Sequence, residues 1–381
     1  MVESVRLRLA ESGAAPTPTG VASALRAQGR PLGDAQMLET ARVVRSELVG
    51  AGPLDRLLAD PRVTDILVNG PDEVWVDRGE GLERAPGVRF PDAVAVRRLA
   101  QRLAVAAGRR LDDARPWTDA RLPDGTRLHA VLPPIAAGCT HLSLRTCRAR
   151  AFTLDELVAV RAVPPQGARL MRELMRRRLS FLVSGGTGTG KTTLLASLLG
   201  LAGPGERIVL VEDSAELRPE HPHVVHLEAR PPNQEGAGRI TLRDLVRQAL
   251  RMRPDRLVVG EVRGPEVLDL LAALNTGHEG GCGTVHANTA ADVPARLEAL
   301  GCTTGLDRPA LHSQLGAGLD AVLHLVREPG TGRRRVAEVH VLERGAGGLV
   351  RTVPAVVFAA DGRVRQGPGW ERLARRCGGR R

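Results

Sequence analysis

The sequence predicts an α/β protein with two domains: a smaller α+β domain, followed by a larger domain built around a parallel sheet. The chain has 381 residues, a length that suits two domains. From residue 179 onwards, short apolar segments alternate with helical segments, which is typical of parallel strands joined by crossover helices. Before that point, Asn69-Gly70 and Pro123-Asp124-Gly125 separate pairs of strand-like segments, which indicates antiparallel hairpins.

Local patterns place the elements of the first domain in order. A short helix is predicted over 54–59, strands at 65–68 and 73–77, a helix over 93–107, a hairpin over 121–132 and a strand at 141–146. The helix prediction depends on apolar residues spaced three and four apart.

The second domain follows the alternation of strands and helices. Its predicted strands are 181–183, 208–211 and 257–259, with helices over 192–199, 242–252 and 265–274 and weaker strands at 321–326 and 336–342.

These patterns divide the chain into five parts. We expect a helical or flexible extension over 1–50, the α+β domain over 51–150, a linker over 151–178, the sheet domain over 179–345 and a basic tail over 346–381. The extension contains one amphipathic helical segment at 35–49, and the linker carries the pair Pro164-Pro165. The last twenty residues are rich in Gly and Arg, which predicts a loose end.

The net charge of +11 is distributed unevenly. Residues 333–381 hold twelve arginines against four acidic residues, so the rest of the chain is nearly balanced. Such a tail suits an anionic membrane surface, an acidic partner or plain solvation. With 4 Phe, 3 Trp and no Tyr, the chain offers few stacking platforms for single-stranded nucleic acid. We therefore expect no nucleic-acid partner.

Three absences favour a cytoplasmic protein. No run of 18 apolar residues predicts a membrane-spanning helix, and the charged N-terminus does not resemble a secretory signal. The five cysteines form no C-x-x-C pair, so neither a zinc site nor a disulfide framework is predicted.

The strongest motif surrounds the one lysine in the chain, Lys191. An apolar strand runs into G-x-x-x-x-G-K-T and then a helix, the context that a P-loop requires. Backbone N–H groups of such a loop face phosphate oxygens, the lysine reaches the β- and γ-phosphates and the threonine hydroxyl coordinates Mg²⁺. The residues predicted to bind ATP are Gly185, Gly186, Thr187, Gly188, Thr189, Gly190, Lys191, Thr192 and Thr193, with Thr192 also a metal ligand.

Carboxylates follow two of the predicted strands. Glu212 and Glu216 follow the strand 208–211, and either could polarise an attacking water, although a solvated acidic turn fits equally well. Glu261 follows 257–260 and would be a metal-side or base carboxylate, or a helix cap. Which of the three acts as the base stays open.

His278 and His286 flank a further strand-like segment. Their position suggests a γ-phosphate sensor. A metal site is the alternative, but no suitably spaced cysteine or third histidine supports it. Taken alone, each histidine fits a core or capping role.

The order of these elements resembles the type II/type IV secretion ATPase superfamily, which carries a Walker A motif, an acidic "Asp box", a Walker B motif and a "His box" in this order. Residues 251–266 resemble its Walker B region and 276–288 its His box, and 119–125, 230–233 and 243–246 resemble the tight-adherence (Flp) pilus assembly branch. The resemblance covers about residues 50–345. Gly260 and Gly281-Cys282-Gly283 depart from the family pattern.

The resemblance implies a RecA-like P-loop NTPase core with the smaller α+β domain before it. It implies Mg²⁺-dependent hydrolysis of ATP with Lys191, Glu212, Glu261 and His286 as catalytic residues and Glu261 near the metal. It also implies that Arg121, Arg127 and Arg145 reach the phosphates, which suits guanidinium groups.

The expected function is a hexameric motor that powers pilus assembly or protein secretion. It would act peripherally at the cytoplasmic face of the plasma membrane, on an inner-membrane platform protein. A conjugative or effector type IV secretion ATPase is the alternative within this class. A nucleic-acid-dependent motor and a non-enzymatic, nucleotide-dependent scaffold are the alternatives from other classes.

Overall fold

The computed structural model describes residues 50–79, 81–146, 150–230, 232 and 237–378, together with Thr17, Ser23 and Ser46. The predicted extension over 1–50 and its amphipathic segment at 35–49 therefore lie almost wholly outside the described residues. The chain divides into two compact units, Met1–Arg148 and Ala149–Arg381, and each is described by itself.

The first unit is a six-stranded antiparallel sheet with one long helix. The strands occur in the order β3-β2-β1-β6-β5-β4. Their bounds are β1 Asp65–Gly70, β2 Glu73–Asp77, β3 Leu82–Arg84, β4 Trp117–Arg121, β5 Arg127–Val131 and β6 His141–Arg145. The short helix α1 spans Asp55–Leu58 and the long helix α2 spans Ala93–Ala106.

Alternation of apolar and polar residues gives this sheet one buried face. Ile66 and Val68 of β1 and Leu128 of β5 are buried, and they pack in one core with Val96 and Leu99 of α2. Asp92 begins the helix because its side chain accepts a hydrogen bond from the N–H of Ala95 at 2.7 Å.

The second unit is a nine-stranded sheet in the order β15-β14-β13-β12-β7-β11-β10-β8-β9. The strands from β12 to β9 are parallel, and β12 to β15 pair antiparallel. Their bounds are β7 Phe181–Gly185, β8 Ile208–Glu212, β9 Val224–Glu228, β10 Arg256–Val259, β11 Cys282–His286, β12 Ala321–Arg327, β13 Arg334–Arg344, β14 Val350–Phe358 and β15 Val364–Gln366. The parallel sheet is thus confirmed, with an antiparallel extension at one edge.

Helices cover both faces of this sheet, which explains why β7, β8 and β10 are buried along their whole length. One core contains Phe181 and Val183 of β7, and the other contains Leu182. The helices are α3 Leu154–Ala159, α4 Pro165–Arg176, α5 Lys191–Leu199, α6 Leu242–Ala249, α7 Glu266–Asn275, α8 Val293–Cys302, α9 Arg308–Gly318 and α10 Trp370–Arg376. None of the helices that the structure describes is long and apolar enough to cross a membrane.

The linker predicted over 151–178, whose pattern also predicts helix, forms α3 and α4, and both helices belong to the second unit. Leu154 and Met171 of these helices are 2% and 0% exposed and lie in the same core as Phe181. Helix α3 begins with a capping box in which Thr153 and Glu156 bond each other's backbone N–H groups. Pro165 suits its position because it is the first residue of α4, where no N–H donor is needed.

The predicted basic tail over 346–381 contains β14, β15 and α10, and the prediction that the last twenty residues form a loose end is wrong for β15 and α10. Phe358 and Leu373 are buried at 3% and 0% exposure in the core that contains Phe181. Several arginines of this segment form ion pairs, for example Arg351 with Glu343 at 3.0 Å and Arg363 with Asp361 at 2.6 Å. The segment folds because of its few apolar residues, which its arginine-rich composition does not reveal.

Candidate functional site

The P-loop connects β7 to α5, and its backbone needs glycine at two positions. A Cβ on Gly185 would lie 2.6 Å from the carbonyl oxygen of Leu325 on the neighbouring strand β12, so only glycine fits there. Gly190 has φ of 94° and caps the N-terminus of α5, a conformation that glycine adopts without strain. The loop therefore curls as the G-x-x-x-x-G-K-T motif predicts, with α5 beginning at Lys191.

Lys191 is 7% exposed and lies against the loop backbone. Its Nζ donates to the carbonyl oxygens of Gly185 at 3.0 Å and Gly186 at 2.7 Å. Thr187, Gly188 and Thr193 are exposed and Thr192 is half-buried, so the loop is open to solvent on the side where α5 begins. Buried Thr189 closes the other side through its bond to the Gly186 carbonyl at 3.0 Å.

His286 joins Lys191 to Glu261. Its Nδ1 lies 3.3 Å from Lys191 Nζ and its Nε2 lies 3.0 Å from Glu261 Oε1. Burial and the charge of Lys191 lower the pKa of His286, so the neutral imidazole accepts from Lys191 and donates to Glu261. The three side chains come from the ends of β10 and β11 and the start of α5, which β7 precedes. The structure thus brings together three residues that the sequence singles out in separate motifs.

Glu261 is the ionised carboxylate of this group. Burial raises the pKa of Glu261, but its bond to Arg263 at 2.5 Å and the charges of Arg263, His286 and Lys191 outweigh burial, so the pKa lies below the ordinary value. An ionised oxygen beside the P-loop lysine is suited to hold a metal or a water molecule.

Glu212 has a different environment, because its side chain is 4% exposed. Its Oε1 accepts from the backbone N–H groups of Glu216 at 3.0 Å and Leu217 at 2.9 Å, so the carboxyl group organises the turn that follows β8. Burial raises the pKa of Glu212 to about 7. Glu216, the other carboxylate left open by the sequence, is half-buried on this same turn.

Gly260 makes room for Glu212. The two residues are neighbours because Val259 pairs with Val211, and the N–H of Gly260 donates to the Val211 carbonyl at 2.8 Å. A Cβ on Gly260 would lie 2.7 Å from Glu212 Cγ. The glycine that departs from the family pattern is thus a packing requirement of the acidic turn.

The second departure, Gly281-Cys282-Gly283, also has a packing cause. A Cβ on Gly281 would lie 2.5 Å from Leu274 Cδ2, and one on Gly283 would lie 2.6 Å from the Val259 carbonyl oxygen. Strand β11 pairs in register with β7 and β10. The backbone that carries His286 is therefore ordered by the sheet.

The two histidines of the predicted His box lie at opposite ends of β11. His278 precedes the strand and His286 ends it. A five-residue strand spans about 13–17 Å, so the two rings cannot share one metal ion. Among the described residues, no group of three or more His, Cys, Asp or Glu side chains is arranged to hold a metal. The alternative of a histidine metal site is not supported.

Arg121, Arg127 and Arg145 form one row across the sheet of the first unit. Arg121 on β4 pairs with Arg127 on β5, which pairs with Arg145 on β6. Since Leu128 and Leu144 point into the core, the neighbouring arginines lie on the opposite face. Arg127 and Arg145 are exposed and Arg121 is half-buried. Such a strip of guanidinium groups is suited to bind phosphate.

The donor atoms at the P-loop fit the cofactors implied by the sequence. The loop supplies backbone N–H groups and the Lys191 ammonium for phosphate oxygens. Mg²⁺ takes oxygen ligands, and the Thr192 hydroxyl, in the first turn of α5, and the ionised Glu261 are of that type. The second oxygen of Glu212, Oε2, is buried without a hydrogen-bond partner among the described residues.

Two residues near the P-loop were missed by the sequence analysis. A Cβ on Gly190 would lie 3.8 Å from Cδ of Arg334, which opens β13, and buried His324 on β12 bonds Ser184 beside the loop. No local motif marks either residue, because only strand pairing brings β12 and β13 to the loop.

The chain matches the model of the "Type II/IV secretion system protein" family over residues 47–334. A putative conjugal transfer protein of Mycobacterium tuberculosis is 58% identical over 336 residues, which cover 87% of this chain and 94% of that protein. The type IV secretion system protein PtlH of Bordetella pertussis is 34% identical over 307 residues, covering 73% of this chain and 89% of that protein.

Among solved structures, the pilus retraction motor PilT with bound ADP is similar in fold. It has a TM-score of 0.55 at 22% identity, and the match covers 77% of this chain and 83% of that one. The predicted fold class, a RecA-like P-loop core with a smaller α+β domain, is confirmed. With a family model that matches most of its length, this chain belongs to the type II/IV secretion system ATPase family.

Proposed function

We propose that the chain is a Mg²⁺-dependent ATPase that works as a motor of a secretion or pilus machine. The observation that carries this proposal is the convergence of Lys191, His286 and Glu261 at the open P-loop, with contacts of 3.3 and 3.0 Å. Membership of the secretion ATPase family supports the same chemistry.

In the proposed mechanism, the loop N–H groups and Lys191 hold the β- and γ-phosphates of ATP. The Thr192 hydroxyl and Glu261 would hold Mg²⁺, which neutralises charge on the phosphate oxygens when bound. Neutral His286 keeps Glu261 oriented by donating to it and holds Lys191 by accepting from it. Glu261 is the better candidate to position the attacking water, because its pKa lies below the ordinary value and it stays ionised.

Glu212 has a structural part in this proposal. Its buried carboxyl group fixes the turn that carries Glu216, through bonds of 3.0 and 2.9 Å to backbone N–H groups. Glu216 is then held at a defined place after β8 and is the second candidate for the base. The row of Arg121, Arg127 and Arg145 would supply further positive charge to the phosphates.

The assembly that we propose is a homo-hexamer at the cytoplasmic face of the plasma membrane, peripherally bound to an inner-membrane platform protein. The Flp pilus branch stays our proposal on the segments 119–125 and 243–246.

A conjugal or type IV secretion function is the second candidate, and the names of the relatives favour it. Both curated relatives, from Mycobacterium and Bordetella, bear names of conjugal transfer or type IV secretion. A single complementation experiment separates the candidates: a deletion strain carrying the wild-type gene or Lys191→Ala is scored for pilus display and for plasmid transfer.

The biochemical test is ATP hydrolysis by the purified full-length chain with and without Mg²⁺. We expect turnover that needs Mg²⁺ and is lost in Lys191→Ala, while Glu261→Gln still binds nucleotide but turns over at least 100-fold more slowly. Persistence of turnover in Lys191→Ala would overturn the mechanism. Hydrolysis that rises severalfold on addition of DNA would favour the nucleic-acid motor instead.

A further inference from the structure

A buried polar row crosses the sheet beside the P-loop. Ser184, His324 and Glu338 lie on three adjacent strands and pair with one another in register. Ser184 is 0% exposed and His324 is 4% exposed, while Glu338 is half-buried and accepts a bond from His340 at 2.8 Å. Polar groups in such a position are kept only when they are hydrogen-bonded.

His324 makes two bonds to two different segments of the site. Its Nδ1 lies 2.9 Å from the hydroxyl of Ser184, the residue that precedes Gly185 of the P-loop. The ring also bonds the backbone of Asn288, two residues after His286, and that bond favours the protonated ring, as a carbonyl acceptor does. Burial outweighs it and lowers the pKa of His324, so the ring is neutral.

One tautomer satisfies both bonds. A neutral imidazole has one donor and one acceptor. If Nε2–H donates to the Asn288 carbonyl, Nδ1 accepts from the Ser184 hydroxyl, at the observed 2.9 Å. His324 then bridges the strand that enters the P-loop and the loop that leaves β11.

The two bridged segments differ in how firmly the sheet holds them. Ser184 pairs on both sides, with Val285 and with His324. Asn288 lies beyond the end of β11, where ladder pairing has stopped. A bond from His324 therefore restrains Asn288, the second residue after the paired His286, more than it restrains the P-loop strand.

We propose that His324 is a positioning residue that holds the loop after His286 at a fixed distance from the P-loop. Its effect is to keep the imidazole of His286 between Lys191 and Glu261. The expected effect of His324 on kcat rests on the proposed ATPase function, whereas its restraint of the loop after His286 does not.

The test compares His324→Leu with His312→Leu, a matched control. His312 is 3% exposed and also makes two bonds, to Glu298 at 3.1 Å and from the N–H of Val350 at 2.9 Å, but it lies on α9 away from the P-loop strand. Both leucine variants remove two hydrogen bonds from a buried ring, so both should lower Tm. Only His324→Leu should lower kcat, by about five- to tenfold, with KM for ATP and Kd for ADP changed less than twofold.

A double-variant comparison isolates the positioning role. In an His286→Ala background, His324→Leu should lower kcat further by less than twofold, because the group that His324 positions is already gone. Hydrogen exchange of the full chain without nucleotide gives a second readout: amides of 286–292 should exchange at least tenfold faster in His324→Leu and unchanged in His312→Leu.

The outcomes are distinguishable. If His324→Leu leaves exchange at 286–292 unchanged, or lowers kcat equally in the presence and absence of His286, the proposal for His324 is overturned. If the wild type shows no hydrolysis that depends on Lys191, the proposed ATPase function fails, and the exchange measurement still decides whether His324 holds this loop.

Discussion

Gly260→Ala should destabilise the protein because of one side chain, that of Glu212. The new Cβ would lie 2.7 Å from Glu212 Cγ, which is shorter than real Cβ contacts, and 3.2 Å from its Oε1, which is unusually tight. The strand cannot move away easily, because Gly260 N–H bonds the Val211 carbonyl at 2.8 Å. Glu212 would have to leave its place and give up its bonds to the backbone of Glu216 and Leu217.

The expected cost follows from these two effects. Overpacking costs about 1–3 kcal/mol and each lost hydrogen bond about 1 kcal/mol. The two terms overlap, since displacing Glu212 relieves the clash, so we expect a loss of about 2–4 kcal/mol in the free energy of unfolding. For a unit of this size, that corresponds to a fall in Tm of about 5–10 °C.

Urea unfolding of four proteins measures the coupling: wild type, Gly260→Ala, Glu212→Ala and the double variant. In the Glu212→Ala background, Gly260→Ala should cost less than about 1 kcal/mol, because the clashing atoms have been removed. Gly205→Ala is the matched control, since a Cβ there meets nothing within 4 Å. An equal cost of Gly260→Ala in both backgrounds would refute the reasoning.

Three further predictions concern charged groups of the second unit. Burial raises the pKa of Glu212 to about 7, so between pH 4.5 and 7 the folded state binds a proton that the unfolded state does not. The free energy of unfolding should therefore be highest below pH 4.5 and fall by up to about 3 kcal/mol as the pH rises through 7. Urea unfolding midpoints of Glu212→Gln should lack this dependence on pH. Lys191→Arg should lower ATP turnover at least 100-fold although the charge is kept, since the buried ammonium donates at 2.7 and 3.0 Å where a guanidinium fork does not fit; wild-type turnover would contradict this. Arg256→Met should lower the free energy of unfolding in urea by about 3–5 kcal/mol, because Arg256 is 1% exposed and bonds Glu206 at 2.9 Å. The double variant Arg256→Met, Glu206→Gln should recover part of that free energy, because no unpaired buried charge is left. If nothing is recovered, the loss comes from packing alone.

The P-loop is the part of the site that sequence predicts best, because its chemistry is local. The spacing from Gly185 to Thr192 fixes both the turn and the start of the helix, and α5 begins at Lys191. The same holds for the parallel strands, whose unbroken apolar runs predict burial on both faces.

What sequence could not predict depends on strand neighbours far apart along the chain. Gly260 and Glu212 meet only because β10 lies beside β8, and Ser184 meets His324 across 140 positions. No local periodicity encodes such a pairing. Gly260 therefore stood out only as a departure from a family pattern, and His324 was not singled out.

At the C-terminal end, composition does not reveal the fold. Twelve arginines in 333–381 predicted a basic tail with a loose end, whereas Val356, Phe358 and Leu373 are at most 4% exposed. A few apolar residues at strand spacing outweigh many charged ones, because the charges pair with each other and with backbone at the surface while the apolar groups leave water.

The antiparallel strands β13 to β15 also set the size of the smallest piece that can fold. The family match ends at residue 334, where β13 begins, yet β12 needs β13 as its outer neighbour and Leu373 fills the core. A fragment that ends at residue 334 would leave the edge of β12 unpaired next to the P-loop strand. Such an exposed strand edge favours aggregation. The segment that the family model matches is therefore shorter than the segment that this protein needs in order to fold.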